Sequence, residues 1–295
     1  MKYRLLLAVP LLAGCQTLQS FDVGGMAGGS MGDRLKNVDV TKVAKGVQQL
    51  RKGFEDISES EEYYIGRAVA AQVLSRYKPL NDPGLNNYAQ KVMQGVALAS
   101  DRPATFKGYH LQVLDSDEVN AFAAPGGFVF VTKGLLKHVK SEDELAAVLG
   151  HEVAHVAKKH GLKTIQTARL TSAFTILGSE VGKQYTPAQI GQLTTAFEGA
   201  IDDVVNKLVV NGYSRDKEYE ADKLGAQYAK SAHYDPGALK SFLTRLEKAE
   251  GSGGGMFKTH PSAAKRQSEL GDQTPAPGYK KSSERGRRFS EAVQL

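Results

Sequence analysis

The stretch from Ser141 to Gly161 constrains this chain most. Ser141 and Glu144 form an S-x-x-E capping box, Leu145, Val148, Leu149, Val153 and Val156 recur at spacings of three and four, and Gly161 offers a stop. The pattern predicts an amphipathic helix, the best defined in the chain. Inside it lies His151-Glu152-Val153-Ala154-His155. Two His four residues apart stand about 40° apart around a helix, so both imidazoles reach one ion, with Glu152 beside them. In a site of this HExxH kind zinc lowers the pKa of its water and polarises a carbonyl, while the Glu accepts the water proton and passes it to the leaving amine. The alternative is two ordinary histidines on an amphipathic face. Against it stand the independent helix signal and the availability of a third ligand.

Catalytic zinc takes three protein ligands and keeps one position open. A metzincin pattern would need Gly at 158 and His at 161, where this chain has Lys158 and Gly161. His160, one place early, points about 180° from His155 on a continued helix and is read as a C-terminal helix residue meeting the dipole and carbonyls. A later segment, Ser214-Arg215-Asp216-Lys217-Glu218-Tyr219-Glu220-Ala221-Asp222, supplies carboxylates. Glu218 and Asp222 share a helix face, so one can bind the metal while the other supports the site, for instance through the free N–H of a liganding His; Glu220 points away from both. Spacing alone leaves this open against a solvated acidic face.

The 295 residues are 41% hydrophobic and 24% charged, which excludes wholesale disorder, collagen and coiled coil. A single Cys, Cys15, excludes an intrachain disulfide framework and any Cys-rich metal site. No apolar run approaches the roughly 18 to 20 residues of a membrane helix. At the start, Lys2 and Arg4 precede an apolar run from Leu5 to Ala13, which reads as an export signal over residues 1–14. Leu12-Ala13-Gly14-Cys15 resembles the bacterial lipobox, in which the Cys carries diacylglyceryl. Gln16 stands where that resemblance would put an inner-membrane retention Asp, so the outer membrane is the expected destination. Loss of Lys2 and Arg4 lowers the formal charge from +6 to +4. The remaining excess gathers toward the C-terminus in Lys258, Lys265, Arg266, Lys280, Lys281, Arg285, Arg287 and Arg288. With no aromatic interleaving, this is read as a solvated basic tail near anionic lipid and not as a nucleic-acid platform.

Residues 15–40 form a Gly-rich tether, 41–270 one folded unit, and 271–295 the basic tail. Within the folded unit helices are expected from Thr41, from Ser58 to near Pro79, and from Asn86 to about Ala99. Period-two runs at 110–115 and 128–131, with Asn120-Ala121-Phe122-Ala123 between them and a Pro125-Gly126-Gly127 turn, predict a small sheet. Residues 164–212 read as helices of mixed polarity. Two more helices follow, from Ser214 to before Pro236 and from Pro236 to Glu250, and a last short one opens at His260-Pro261.

HEVAH followed after about sixty residues by SRDKEYEAD resembles the gluzincin zinc metallopeptidases of the HtpX and CAAX-prenyl-protease type, the forty-eighth metallopeptidase family. The resemblance covers roughly residues 58 to 270 and extends to Asn120-Ala121-Phe122-Ala123 and His260-Pro261. It implies an α+β, zincin-like fold, mainly helical, with a small β-sheet or hairpin edging the active-site cleft. It implies one zinc per chain on His151, His155 and Glu218, with Glu152 as base and Asp222 in support, a position sometimes given a proton-donor role. The strand of Asn120, Ala121 and Phe122 would pair with an extended substrate. His260 has two readings, a donor to the developing oxyanion or a residue that only packs. Nothing here spans a bilayer, so the chain resembles the soluble, lipid-anchored periplasmic branch. Residues 164–212 would cover the cleft as a lid or serve as core helices. The implied function is a zinc-dependent endopeptidase acting on unfolded or damaged envelope proteins. Its expected partners are polypeptide substrates, the membrane through lipid on Cys15, and envelope assembly or quality-control factors, with no nucleic acid. The alternative is a non-catalytic or latent lipoprotein chaperone or assembly factor with a structural zinc.

Overall fold

The computed structural model describes residues 58–164, 198–199, 201–250, 259–260, 263–271, 273 and 282–295. The export signal, Cys15, the tether, the helix expected from Thr41, most of the 164–212 interval and Pro261 lie outside the described residues.

Two helices open the described fold, α1 (Glu59–Arg76) and α2 (Pro83–Leu98). On α1, Val69 and Val73 are buried, whereas Leu74, one step further round, is exposed. α2 starts a turn before the expected Asn86 because Asp82 caps it: its Oδ1 accepts the Leu85 N–H at 2.9 Å, and Pro83 fills the first turn where no N–H is needed.

Three strands follow, β1 (His110–Leu114), β2 (Ala121–Ala124) and β3 (Phe128–Thr132), in the order β1-β3-β2. β2 and β3 are an antiparallel hairpin, with Phe122 opposite Phe130, and β1 runs parallel to β3. The Pro125–Gly127 turn needs left-handed backbone at Gly126 (φ 74°) and Gly127 (φ 95°), which only glycine adopts without strain. Strand alternation sorts the side chains onto two buried faces. Val113, Ala121, Ala123, Val129 and Val131 join one apolar cluster, and Leu114, Phe122, Ala124 and Phe130 join another with Val69 and Val73 of α1. A sheet buried on both faces accounts for the uninterrupted apolar run Phe128-Val129-Phe130-Val131.

α3 (Lys133–His138) leads into α4 (Glu142–Ala157), the HExxH helix. Ser141 Oγ accepts the Glu144 N–H at 3.2 Å as expected, but Glu144 returns its carboxylate to the Lys140 N–H at 2.8 Å. α4 is buried at every residue from Glu142 to Val156, on all faces and not along one stripe. Small residues on its other faces make this feasible. At Gly150 the helix meets α5 (Arg215–Ser231), and a Cβ on Gly150 would fall 2.7 Å from the Gly225 carbonyl oxygen. α4 ends at Ala157 and not near Gly161, because Lys159 takes a left-handed φ of 54° and turns the chain back. α6 (Ala238–Glu250), α7 (Ala263–Leu270) and α8 (Ser283–Ala292) complete the order. α8 falls where a solvated tail was expected. Its Phe289 and the following Val293 pack on the core, Arg288 Nη2 donates to Glu142 at 2.6 Å, and Arg285 Nη1 donates to Asp143 at 2.9 Å. No helix of the described residues is long and apolar enough to cross a membrane.

Candidate metal centre

The Gly150–Gly225 crossing brings the acidic face of α5 down on the histidines of α4. His151 Nε2 and His155 Nε2 lie 3.0 Å apart. Glu218 faces both, with Oε2 3.5 Å from His151 Nε2 and Oε1 3.6 Å from His155 Nε2. His260 joins them, its Nδ1 2.5 Å from Glu218 Oε2, so that the four residues each offer a donor atom within 4.8 Å of the others. All four side chains are buried. Glu218 Oε1 is buried with no hydrogen-bond partner, an arrangement that costs free energy unless a cation satisfies it. Two imidazole nitrogens and a carboxylate aimed at one point are the donor set of a catalytic zinc site, so the residues fit the metal. The sequence-predicted ligands His151, His155 and Glu218 are thus brought together, and His260, read from the sequence as an oxyanion donor or a packing residue, lies against Glu218.

The outer contacts fix which ring nitrogen faces the centre. Asp222 Oδ1 lies 2.8 Å from His151 Nδ1, which turns His151 Nε2 inward. Arg266, fully buried, grips the same carboxylate through Nε to Oδ2 at 2.8 Å and Nη2 to Oδ1 at 2.6 Å. His160 is not pointed away. The reversal at Lys159 folds it under α4, where its Nδ1 lies 2.9 Å from His155 Nδ1 and its Nε2 lies 3.2 Å from Glu220 Oε2. The Tyr213 ring stacks on His155 at 4.4 Å and 19°. Arg266, Glu220, His160 and Tyr213 were not assigned to the site by the sequence. Helical spacing placed His160 on the wrong face, Glu220 lies off the Glu218 face as expected but meets His160 there, Arg266 was counted in the basic excess, and Tyr213 precedes the acidic segment with no period to mark it.

Electrostatics follow from burial and these partners. Burial alone would depress His151, but the hydrogen bond and charge of Asp222 outweigh it and raise the imidazole to about 9. Burial, then the neighbouring His151, holds His155 well below the usual imidazole range. Burial works against the Glu218 carboxylate, yet the charge of His260 and hydrogen bonds from His151 and His260 keep it well below the usual carboxylate range. Glu152 moves the other way: burial raises it, against the opposing pull of His151 and His260. A raised carboxylate is a better proton acceptor near neutral pH.

Glu152, Tyr213 and His260 line a cleft together with Phe122, Leu208 and Gly212. At Gly212 (φ 67°) a Cβ would sit 1.6 Å from the Thr259 carbonyl oxygen, so glycine is what lets the 259–260 segment close on the site. β2 is the terminal strand of the sheet, so its outer edge has no strand partner among the described residues. Of the expected substrate-pairing residues, Phe122 lines the cleft and Ala121 pairs with Val131. Asn120 is fully buried and braces the hairpin: its carbonyl accepts from the Thr132 backbone at 3.0 Å and from Thr132 Oγ1 at 2.9 Å.

A helical frame with a three-stranded sheet, built around paired histidines on one helix and a carboxylate on another, defines the zincin-like fold. The chain belongs to peptidase family M48, whose sequence profile matches residues 83–274. It is 30% identical over 237 residues to the mitochondrial metalloendopeptidase OMA1 of Schizosaccharomyces pombe, covering 78% of this chain and 66% of the relative. It is 27% identical over 194 residues to the beta-barrel assembly-enhancing protease of Escherichia coli, covering 64% of this chain and 38% of that protein. With the metalloprotease LoiP of Escherichia coli it shares 29% identity over 199 residues, 67% of this chain and 75% of the relative. The chain therefore spans less than two thirds of the length of the first two.

Proposed function

We propose that this chain is a metalloendopeptidase, zinc-dependent in the first instance, that hydrolyses peptide bonds in unfolded or damaged polypeptides. The observation that carries the proposal is the convergence of His151 Nε2, His155 Nε2 and Glu218 beside a cleft that also holds the buried Glu152. A bound zinc would supply Lewis acidity, acidifying a water and polarising the peptide carbonyl. Glu152 takes the proton of the attacking water and delivers it to the leaving amine, helped by the burial that raises its affinity for the proton. Asp222, engaged by His151 and Arg266, supports His151 and does not serve as a proton donor. His260, which lies against Glu218 and lines the cleft with Glu152, is the residue we assign to the developing oxyanion. An extended substrate pairs along the outer edge of β2, which gives affinity with little sequence preference.

For location we propose the bacterial periplasm, with removal of residues 1–14, a lipid on Cys15 in the outer membrane, and residues 15–40 as the tether to the catalytic unit. The lipobox-like Leu12-Ala13-Gly14-Cys15 supports this, and a relative named for enhancing beta-barrel assembly agrees with an envelope role. A second reading, a latent enzyme or a chaperone with a structural zinc, draws on His260. As a fourth donor within the same 4.8 Å it could close the set. Cleavage of an unfolded protein by the purified chain, lost with a chelator and restored by one equivalent of zinc, is the expected result. One tightly held zinc without cleavage would favour the second reading.

A further inference from the structure

Beyond the four donors, a hydrogen-bonded line leaves the centre from His155. It runs from His155 Nδ1 to His160 Nδ1 at 2.9 Å and from His160 Nε2 to Glu220 Oε2 at 3.2 Å. The His160 side chain is 2% exposed and Glu220 48%, so the line starts buried and ends at solvent. Tyr213 flanks both rings, at 4.4 Å from His155 and 5.7 Å from His160. Metal ligation through His155 Nε2 would set the direction of each bond. If His155 offers Nε2 to a metal, its Nδ1 carries the proton and donates to His160 Nδ1; His160 then carries its own proton on Nε2 and donates it to the Glu220 carboxylate.

We propose that His160 and Glu220 are positioning residues for the metal, a two-residue line that locks the tautomer and ring orientation of His155. The proposal rests on the reading of His155 as a ligand. The line is a longer counterpart of the Asp222 contact on His151, so each histidine of the motif would have its own carboxylate, one direct and one through an intervening imidazole.

The test is the zinc dissociation constant of the full chain, by chelator competition, with the melting temperature of the metal-free protein measured alongside. His160→Ala is expected to weaken zinc about 10- to 100-fold, in the range of lost contacts to liganding histidines. Glu220→Ala should weaken it by less, Glu220→Gln, which keeps an acceptor, by less still, and Glu220→Ala should add nothing once His160 is Ala. Because Glu220 is half exposed, its variants report even where His160→Ala fails to fold. Unchanged zinc affinity in both Glu220 variants, losses that add in the double variant, or a fall in metal-free melting temperature alone would overturn the assignment. A wild type that binds no zinc would instead overturn the metal reading itself, and the line with it.

Discussion

Replacing Asp222 by Asn tests the packing logic of the centre with one atom. Asp222 and Arg266 are both fully buried, and each carboxylate oxygen already accepts: Oδ1 from His151 and Arg266 Nη2, Oδ2 from Arg266 Nε. Either orientation of an Asn amide would set its NH₂ against a donor, and the guanidinium, whose Nη1 already lacks a hydrogen-bond partner, would lose the carboxylate it pairs with. Breaking a buried ion pair from one side costs about 3–5 kcal/mol. For a domain of this size that corresponds to a melting temperature lower by about 6–20 °C. The assay is thermal unfolding with chelator present, followed by circular dichroism. Arg266→Met in the same background removes the stranded charge and should recover most of the loss. A single variant melting within about 2 °C of wild type, or a double variant no more stable than the single, would refute the reasoning.

Other expectations follow from the same contacts. Gly225→Ala sets a Cβ 2.6 Å from the His151 backbone nitrogen and 2.8 Å from the Gly150 carbonyl carbon, so α4 and α5 must part. It should cost about 1–3 kcal/mol and weaken zinc binding, and wild-type affinity by chelator competition would contradict the close crossing. Glu218→Ala should drop the zinc content of the purified chain from one toward zero, measured by atomic absorption. Because Asp222 and Glu218 are held below their ordinary values, the stability they contribute is fully present above an unfolded-state pKa of about 4 and is lost as pH falls through their folded values. The metal-free wild type should thus lose melting temperature steeply on acidification, and Asp222→Asn should show a shallower acid limb; parallel curves would argue against the depressed carboxylates.

What was legible in the sequence was local. The four-residue spacing of His151 and His155, and of Glu218 and Asp222, fixes a shared face on a helix whatever surrounds it, and the structure sets these pairs against each other. The strand at Phe128-Val129-Phe130-Val131 was also expected, although its run is apolar throughout because both faces of the sheet are buried. The rest depended on the chain's return paths. His160 escaped because helical geometry was extended past Ala157, where a single left-handed residue, Lys159, reverses the direction. Glu220, off the Glu218 face, points to a partner that only this reversal supplies. Arg266 and Arg288 looked like members of a solvated basic run, because composition cannot tell a free cation from one facing a buried carboxylate such as Asp222 or Glu142. The parallel pairing of β1 with β3, and the glycine contact between α4 and α5, join residues far apart in sequence and leave no periodic trace.

The central claim is that Glu152 works as the base of a peptide-cleaving metal site. The most direct test compares the wild-type chain with Glu152→Gln at equal zinc content, on an unfolded protein substrate. The substitution keeps size and removes the proton acceptor, so cleavage should fall on the order of 10²- to 10⁴-fold while bound zinc and melting temperature stay close to wild type. Cleavage at the wild-type rate by the zinc-loaded variant, or none by a fully loaded wild type, would contradict it.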